Sequence, residues 1–186
     1  MPDQRVMPAE QVADAAKRLS RATWSWSMTD VDHLAAQLGW PIAEPPAHGV
    51  AYLSTGYQVA HGSAMVMYRG EMAQSVVVGV TNRLERRFPD RLGAFAHVVT
   101  AVAGVLGPPT DRRPGRVPEV WWTAADGLIG VSDDRLYIDL ELRSAPFEAQ
   151  LAADRERTRA EREFKALNPD WDQDDEDDIL ANYPPF

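Results

Sequence analysis

The segment RLYIDLELR, residues 135–143, alternates strictly between apolar and polar residues. Its leucines and its isoleucine occupy every second position, and charged residues and a tyrosine fill the positions between them. Because successive side chains of a β-strand point to opposite faces, this pattern predicts a strand with one buried and one solvated face. The chain is therefore expected to build a sheet that is packed on one side and wet on the other.

Five further segments are rich in β-branched and aromatic residues, which favour strands. Three lie in the first half of the chain, at residues 49–55, 57–69 and 72–81, and two lie directly before residues 135–143, at 119–124 and 127–133. Within each group the connections are short enough for hairpin turns. Each group is therefore predicted to be a three-stranded antiparallel stretch.

Two helices are predicted before the first strand. Residues 8–20 carry apolar residues at helical spacing, and these are Val12, Ala15, Ala16 and Leu19. A shorter helix follows, with Thr29 expected to cap its beginning and Gly39 to end it in a left-handed turn.

A long apolar helix is predicted over residues 89–106, and its stripe, which includes Leu92 and Phe95, is expected to pack across the sheet. A highly charged helix is predicted over residues 146–167. The expected fold class is α+β, with an antiparallel sheet packed by the N-terminal helices and the long central helix.

Acidic residues are concentrated at the C-terminal end of the chain. Residues 1–144 carry 16 acidic and 14 basic side chains, whereas residues 145–186 carry 12 acidic and 5 basic ones. This shift in charge predicts a single α+β domain over residues 1–145, a charged helix over 146–168 and a disordered acidic tail over 169–186.

The composition excludes several classes of function. A net charge of −9 and a pI near 4.9 argue against nucleic-acid binding, which needs a clustered basic surface. The absence of cysteine excludes disulfides and cysteine-ligated metals. The chain has neither a secretory signal pattern nor an apolar run of about 20 residues, so a cytoplasmic protein that does not insert into membranes is expected.

The sequence contains no recognisable catalytic motif. The four histidines lack metal-binding spacing, and the acidic run that starts at Asp170 lacks the glycine and the closing glutamate of a calcium loop. We therefore expect a protein that is not an enzyme and that holds no cofactor or metal. A small enzyme using Asp133, Asp134 and Asp139 remains an alternative, which a deep pocket lined by these carboxylates would favour.

Aromatic and acidic residues are the best candidates for contact with a protein partner. Trp121 and Trp122 are adjacent in a predicted strand and must face opposite sides, so one is expected in the core and the other exposed or covered by the N-terminal helices. The remaining candidates lie in the loop at 126–134, on the wet face of 135–143 and in the tail. The full set of candidate contact residues is Trp122, Asp126, Asp133, Asp134, Tyr137, Asp139, Glu141 and Trp171.

Three segments resemble a family of small, uncharacterised actinobacterial proteins. They are WSWSMTDVDHLAAQLGW, FAHVVTAVAGVLGPPT and VWWTAADGLIGVSDDRLYIDLEL. The shared pattern is W-x-W, an aspartate followed by a hydrophobic residue, L-A-x-x-L-G-W, a helix that ends in L-G-x-P-T, and a terminal hairpin. The resemblance covers residues 10–145 and does not include the acidic tail.

Members of this family are often found near secreted polymorphic toxins and are similar to cytoplasmic immunity proteins, including the type that neutralises the mycobacterial NAD-hydrolysing necrotizing toxin. The resemblance implies an immunity protein that binds the catalytic domain of a cognate toxin and blocks its active site. A secretion-chaperone-like adaptor that binds an effector or an export substrate is the alternative. The oligomeric state is left open.

Overall fold

Eight strands and four α-helices make up the part of the chain that the computed structural model describes, which is residues 6–59, 62–84 and 90–168. In chain order the elements are α1 (Ala9–Arg21), a 3-10 turn (Met28–Asp30), α2 (Val31–Leu38), β1 (Ile42–Ala47), β2 (Val50–Ser54), β3 (Ser63–Arg69), β4 (Met72–Gly79), α3 (Arg91–Leu106), β5 (Asp111–Arg113), β6 (Glu119–Ala124), β7 (Gly127–Asp133), β8 (Ile138–Arg143) and α4 (Ala145–Leu167). The predicted α+β class is confirmed.

All eight strands belong to one antiparallel sheet with the order β1-β2-β3-β4-β8-β7-β6-β5. Two four-stranded meanders therefore meet where β4 pairs with β8. Each predicted three-stranded stretch gains one edge strand that the sequence pattern did not indicate. β1 contains two consecutive prolines, which lack the N–H of a ladder donor, and β5 is three polar residues long, so neither looks like a strand in isolation.

Helices cover one face of this sheet. α1 packs against α3, and both helices contact β7. Apolar side chains at alternate positions of the strands, including Val76, Ile129 and Leu140, form a single buried cluster with those of the helices. The predicted buried positions of α1 are confirmed, since Val12 and its three partners are fully buried. The core therefore lies between the helices and this face.

The predicted apolar stripe of α3 is confirmed in part. Val102 is buried and Phe95 packs against the core, whereas Leu92 is 82% exposed, and the other buried residues of the helix are Ala94 and Val98. The helix is apolar around most of its circumference, so hydrophobic spacing did not single out one face. Residues four apart lie on one helix face, and the small or branched side chains at 94, 98 and 102 form the face that is buried.

Two predicted boundaries also change. The side chain of Ser27, rather than that of Thr29, accepts a hydrogen bond at the start of the 3-10 turn that leads into α2, whereas Gly39 ends α2 in the left-handed region as predicted. β8 begins at Ile138 because the Asp134 carboxylate accepts the backbone N–H groups of the two preceding residues and holds them in a turn.

The tryptophans of residues 24–40 belong to the core. Trp24 and Trp26 pack with their ring centroids 5.1 Å apart, and they and Trp40 are at most 8% exposed. The Trp24 backbone N–H and the Trp26 indole N–H both donate to the Asp126 carboxylate at 3.2 Å, and the Trp26 carbonyl accepts from Ala73. The segment between α1 and the 3-10 turn, which carries Trp24 and Trp26 and which we call the tryptophan loop, is thereby bound to both the β6–β7 and the β3–β4 hairpins.

The contacts divide the chain into two compact units, with the boundary between Phe147 and Glu148. Within the second unit, α4 carries ion pairs such as Arg159 with Glu163 at 2.8 Å. Across the described residues, no helix has both the length and the apolar character needed to cross a membrane.

Replacing Asp126 with alanine removes the shared acceptor of the two tryptophan donors. We expect the free energy of unfolding to fall by about 2–3 kcal/mol, because buried donors without a partner cost about 1–3 kcal/mol. Asp32→Ala, which removes an exposed carboxylate from α2, is the matched control and should change stability by about 0.5 kcal/mol or less. Equal urea denaturation curves for the two variants would show that ring packing alone holds the loop.

Candidate binding face

The sheet face opposite the helices carries the candidate site, and we call it the open face. It consists of the side chains that alternate with the core positions. On β2–β4 these include Val50, Tyr52, Met65, Met67, Arg69, Met72, Ser75 and Val77, and on β6–β8 they include Glu119, Trp121, Thr123, Leu128, Gly130, Ser132, Asp139, Glu141 and Arg143. Its two halves therefore differ in chemistry.

A single row of paired residues crosses both halves of the open face. Tyr52 pairs with Met65, and Met65 pairs with Val77. Val77 in turn pairs with Glu141 across the central β4–β8 contact, which is where the apolar half meets the charged half. Side chains directly opposite each other on neighbouring strands are about 4.5–5.5 Å apart at Cβ, so the row is continuous.

Trp121 lies on the open face and is nevertheless only 1% exposed. The Arg143 guanidinium lies 4.1 Å from the centroid of its ring, and the Arg113 guanidinium lies 5.3 Å from it. The indole N–H donates to Glu119 at 2.9 Å, and Arg143 pairs with Glu141 at 2.7 Å. We call these five residues the Trp121 cluster.

One of the two adjacent tryptophans was expected in the core, and the other was expected to be exposed or covered by the N-terminal helices. The first expectation is confirmed and the second is wrong. Trp122 is the core residue of the pair, and its indole N–H donates to the Gly107 carbonyl at 2.9 Å. Trp121 is neither exposed nor covered by the N-terminal helices, because arginine side chains cover it instead. An arginine packs flat on an indole through its apolar stem and its cation–π attraction, so charged residues bury this ring as effectively as a helix would.

Asp139 is a carboxylate whose surroundings disfavour its charged form. It lies partly buried on the open face between Gly79 of β4 and Ser132 of β7, and no described residue makes a hydrogen bond or an ion pair with it. Burial, followed by the negative charges of Asp134, Glu141 and Asp133, raises its pKa from 3.8 to about 7. When Asp139 is ionised, a nearby cation would therefore stabilise its carboxylate.

Three other predicted contact residues hold loops together. Asp133 is 6% exposed and accepts from the Arg91 side chain at 2.7 Å and from the Arg135 backbone. Asp134 caps the turn before β8, and Asp126 accepts from the tryptophan loop. Their oxygens are engaged within the protein itself.

The structure thus brings together on the open face only two of the predicted contact residues, Asp139 and Glu141. Tyr137 lies just before β8 and is partly buried, whereas Trp122 lies in the core. Trp171 and the acidic tail lie outside the described residues. No group of three or more histidine, aspartate or glutamate side chains able to hold a metal is found within residues 6–59, 62–84 and 90–168.

The apolar half of the open face was missed by the sequence analysis. Its exposed members are Tyr52, at 37%, and Met67, at 36%, and Val50, Met65 and Val77 are partly exposed beside them. We call these five residues the apolar patch. The segment SAMVMYR carries apolar residues at both sets of alternate positions, a pattern that indicates a strand with no polar face. This pattern is the sequence feature from which the apolar patch could have been predicted.

A cleft of about 300 Å³ lies beside α1. Its single carboxylate, Asp14, accepts from Arg18 at 2.8 Å and from the Tyr57 hydroxyl at 2.9 Å. Arg18 also donates to the Leu38 carbonyl at 2.6 Å. These polar groups join α1 to the end of α2 and to the chain after β2, so the cleft is explained by helix packing.

Gly130 tests the packing of the Trp121 cluster. A methyl group at this position would overlap the Trp121 ring, so Gly130→Ala is expected to lower the free energy of unfolding by about 1–3 kcal/mol. Gly104→Ala, on α3, is the control, because nothing lies within 4 Å of its Cβ and alanine favours a helix by about 1 kcal/mol. Thermal unfolding of both variants measures the difference; equal melting temperatures would contradict the packing described here.

The pH dependence of stability tests Asp139. The folded state retains a proton on this carboxyl up to about pH 7, whereas an unfolded chain loses it near 3.8. The contribution of Asp139 to stability is therefore lost as the pH rises through this window. Relative to wild type, Asp139→Asn is expected to gain stability between pH 4 and 8, by on the order of 1–2 kcal/mol, in urea titrations at several pH values. A difference that stays constant from pH 4 to 8 would contradict the raised pKa.

Comparison with known proteins places the chain in a family without assigning it a function. No curated protein and no solved structure matches the chain. The sequence profile of one family, described as a family of unknown function, matches residues 10–144, which include every helix and strand of the first compact unit except the first residue of α1 and the start of α4. The protein therefore belongs to the DUF6301 family.

Proposed function

We propose that this protein is a cytoplasmic immunity protein that binds the catalytic domain of a cognate secreted toxin and blocks its active site. The observation that carries the proposal is Asp139, a carboxylate that lies partly buried on an open sheet face with no partner within the described residues. A positively charged group on another protein would supply that partner. The proposed role is one of binding, with no reaction catalysed by this chain.

The electrostatics of the open face suit an inhibitor. Many toxins that attack nucleic acids or phosphorylated cofactors carry basic clefts, and an acidic surface placed over such a cleft gains both association rate and specificity. Desolvation already raises the free energy of ionised Asp139 in the unbound protein, so part of the cost of burying this charge at an interface is incurred before binding. The attraction between Asp139 and a lysine or arginine of the toxin is then opposed by a smaller desolvation cost.

A secretion-chaperone-like adaptor is the second candidate, and the apolar patch is the observation that favours it. Chaperones of export substrates hold apolar segments, and Tyr52 and Met67 are available on the surface for such contacts. The two functions differ in what is bound. An inhibitor contacts a folded catalytic domain, and an adaptor contacts a non-catalytic or unfolded segment.

The first experiment is capture of partners from the native host on the tagged full-length chain, followed by an activity assay. We expect the catalytic domain of a secreted toxin to be recovered and to lose its activity when one equivalent of this protein is added. Recovery of export substrates that show no such loss would support the adaptor instead. Failure to recover any partner would contradict both functions.

Charge reversal then tests the role of Asp139. Asp139→Lys is expected to weaken toxin binding at least about 30-fold, because a desolvated charge pair is worth about 2–5 kcal/mol when one partner is lost. Asp32→Lys makes the same change of charge on the exposed surface of α2 and should change the affinity by less than about threefold. Similar dissociation constants for the two variants, measured by calorimetry, would remove Asp139 from the interface.

A further inference from the structure

We propose that the apolar patch, residues Val50, Tyr52, Met65, Met67 and Val77, is a docking site for a partner segment whose apolar side chains are flanked by lysine or arginine. The inference deepens the proposed function and rests on it only for the partner being a toxin domain. The surface itself is argued from register, exposure and charge.

The patch is contiguous, which distinguishes it from scattered surface residues. Tyr52, Met65 and Val77 are paired in one row, and Val50 and Met67 are paired in the next. Met72, at the beginning of β4, is 53% exposed and extends the apolar surface toward the end of the sheet. Single exposed apolar residues are normal on proteins, whereas adjacent ones on a flat sheet mark a surface that a partner covers.

The chemistry of the patch suits side chains of varied shape. Methionine is unbranched and polarisable, and it is common on surfaces that adapt to a bound segment. Tyrosine contributes a large contact area at a low cost in side-chain entropy. The patch therefore offers adaptable contact with apolar side chains, and the strands beneath it hold it in place.

The borders of the patch determine the charge of the partner. Glu141 and Asp139 lie beside it on β8, opposite Val77 and Gly79, and Glu44 lies beside Tyr52 on β1. The basic side chain at its border, Arg69, lies at one end, where β3 meets Met72. Arg143 already neutralises Glu141, and no described residue neutralises Asp139. A segment that lays its apolar residues on the patch therefore brings its flanking residues to acidic side chains on two sides, and cations at those positions are favoured.

A second copy of this chain fits the same surface less well. It would present the same acidic borders, and the net charge of −9 on each chain opposes self-association. Addition of a strand at the sheet edge is also disfavoured, since β1 has consecutive prolines and irregular pairing. The face of the sheet is therefore a better docking surface than its β1 edge.

Methionine methyl groups provide a direct test on the full chain. The protein is labelled at its methionine methyls with carbon-13 and titrated with a synthetic octapeptide in which leucine alternates with lysine. We expect the methyl signals of Met65 and Met67 to shift, and that of Met7, which is fully buried in the core, to stay in place. A second peptide with glutamate in place of lysine should produce shifts at least tenfold smaller at equal concentration.

Variants separate the patch from general attraction to acidic residues. Met65→Gln combined with Met67→Gln should weaken binding of the lysine peptide at least tenfold in fluorescence anisotropy. Leu92→Gln removes an equally apolar side chain that is 82% exposed on α3 and should change binding by less than twofold. Circular dichroism melting curves show whether the double variant retains its fold, and the methyl shifts of the wild-type protein stand as an independent test.

Three results would overturn the docking site. They are equal shifts with both peptides, undiminished affinity of the double variant, and shifts of Met65 and Met67 that depend on protein concentration alone, which would assign the patch to self-association. A captured partner that is not a toxin would refute the proposed function and leave the docking site standing. Conversely, a toxin that is inhibited without any response at Met65 and Met67 would support the function and refute the site.

Discussion

The pairing of β4 with β8 is the contact on which the rest of the fold depends. It joins two meanders that are distant in sequence, and closing the long intervening segment has an entropic cost that local hairpins do not have. On the helix side, Val76 and Val78 meet Leu142 and Leu140, so the join is made through fully apolar pairs at the centre of the core. Apolar burial at this position offsets the cost of bringing the two halves together.

The same pairing also divides the open face. Val77 meets Glu141 and Gly79 meets Asp139, so the last apolar strand lies directly against the first charged one. On the charged side, the Trp121 cluster satisfies its own hydrogen bonds and covers its ring with arginine. On the apolar side, methionine and tyrosine remain at the surface. The side chains of the Trp121 cluster are therefore engaged with one another, whereas Asp139 and the apolar patch are the parts of the open face without such contacts among the described residues.

The sequence predicted the positions of helices and strands better than it predicted which side of each is buried. Their β-branched and aromatic residues identified the strands at 119–124 and 127–133 with the boundaries that the structure has. α3 is apolar around most of its surface, so the side that meets the sheet is decided by the fit of small side chains such as Ala94, which periodicity does not record. β5 is polar and short, and it forms a strand because its backbone pairs with that of β6.

The acidic candidates illustrate the same limit. Asp126, Asp133 and Asp139 are alike in local sequence, because each lies within or beside a strand. Their roles differ because backbone and indole N–H groups converge on the first, Arg91 meets the second, and no described residue meets the third. Hydrogen-bond donors that come from distant parts of the chain are invisible in local sequence, which is why only two of the predicted acids are found on the open face.

The surroundings of Asp139 oppose the stability of the folded protein, in keeping with the binding role proposed for it. A carboxylate that is partly buried beside other acids destabilises the folded protein when it is ionised, and asparagine or serine would fit a wet strand position without that penalty. No residue of the part of the chain that the structure describes compensates for that penalty, and sites of this kind are typical of functional surfaces. Since the apolar patch lies beside Asp139 across β4, a single partner segment can relieve both the unpaired charge and the exposed apolar surface.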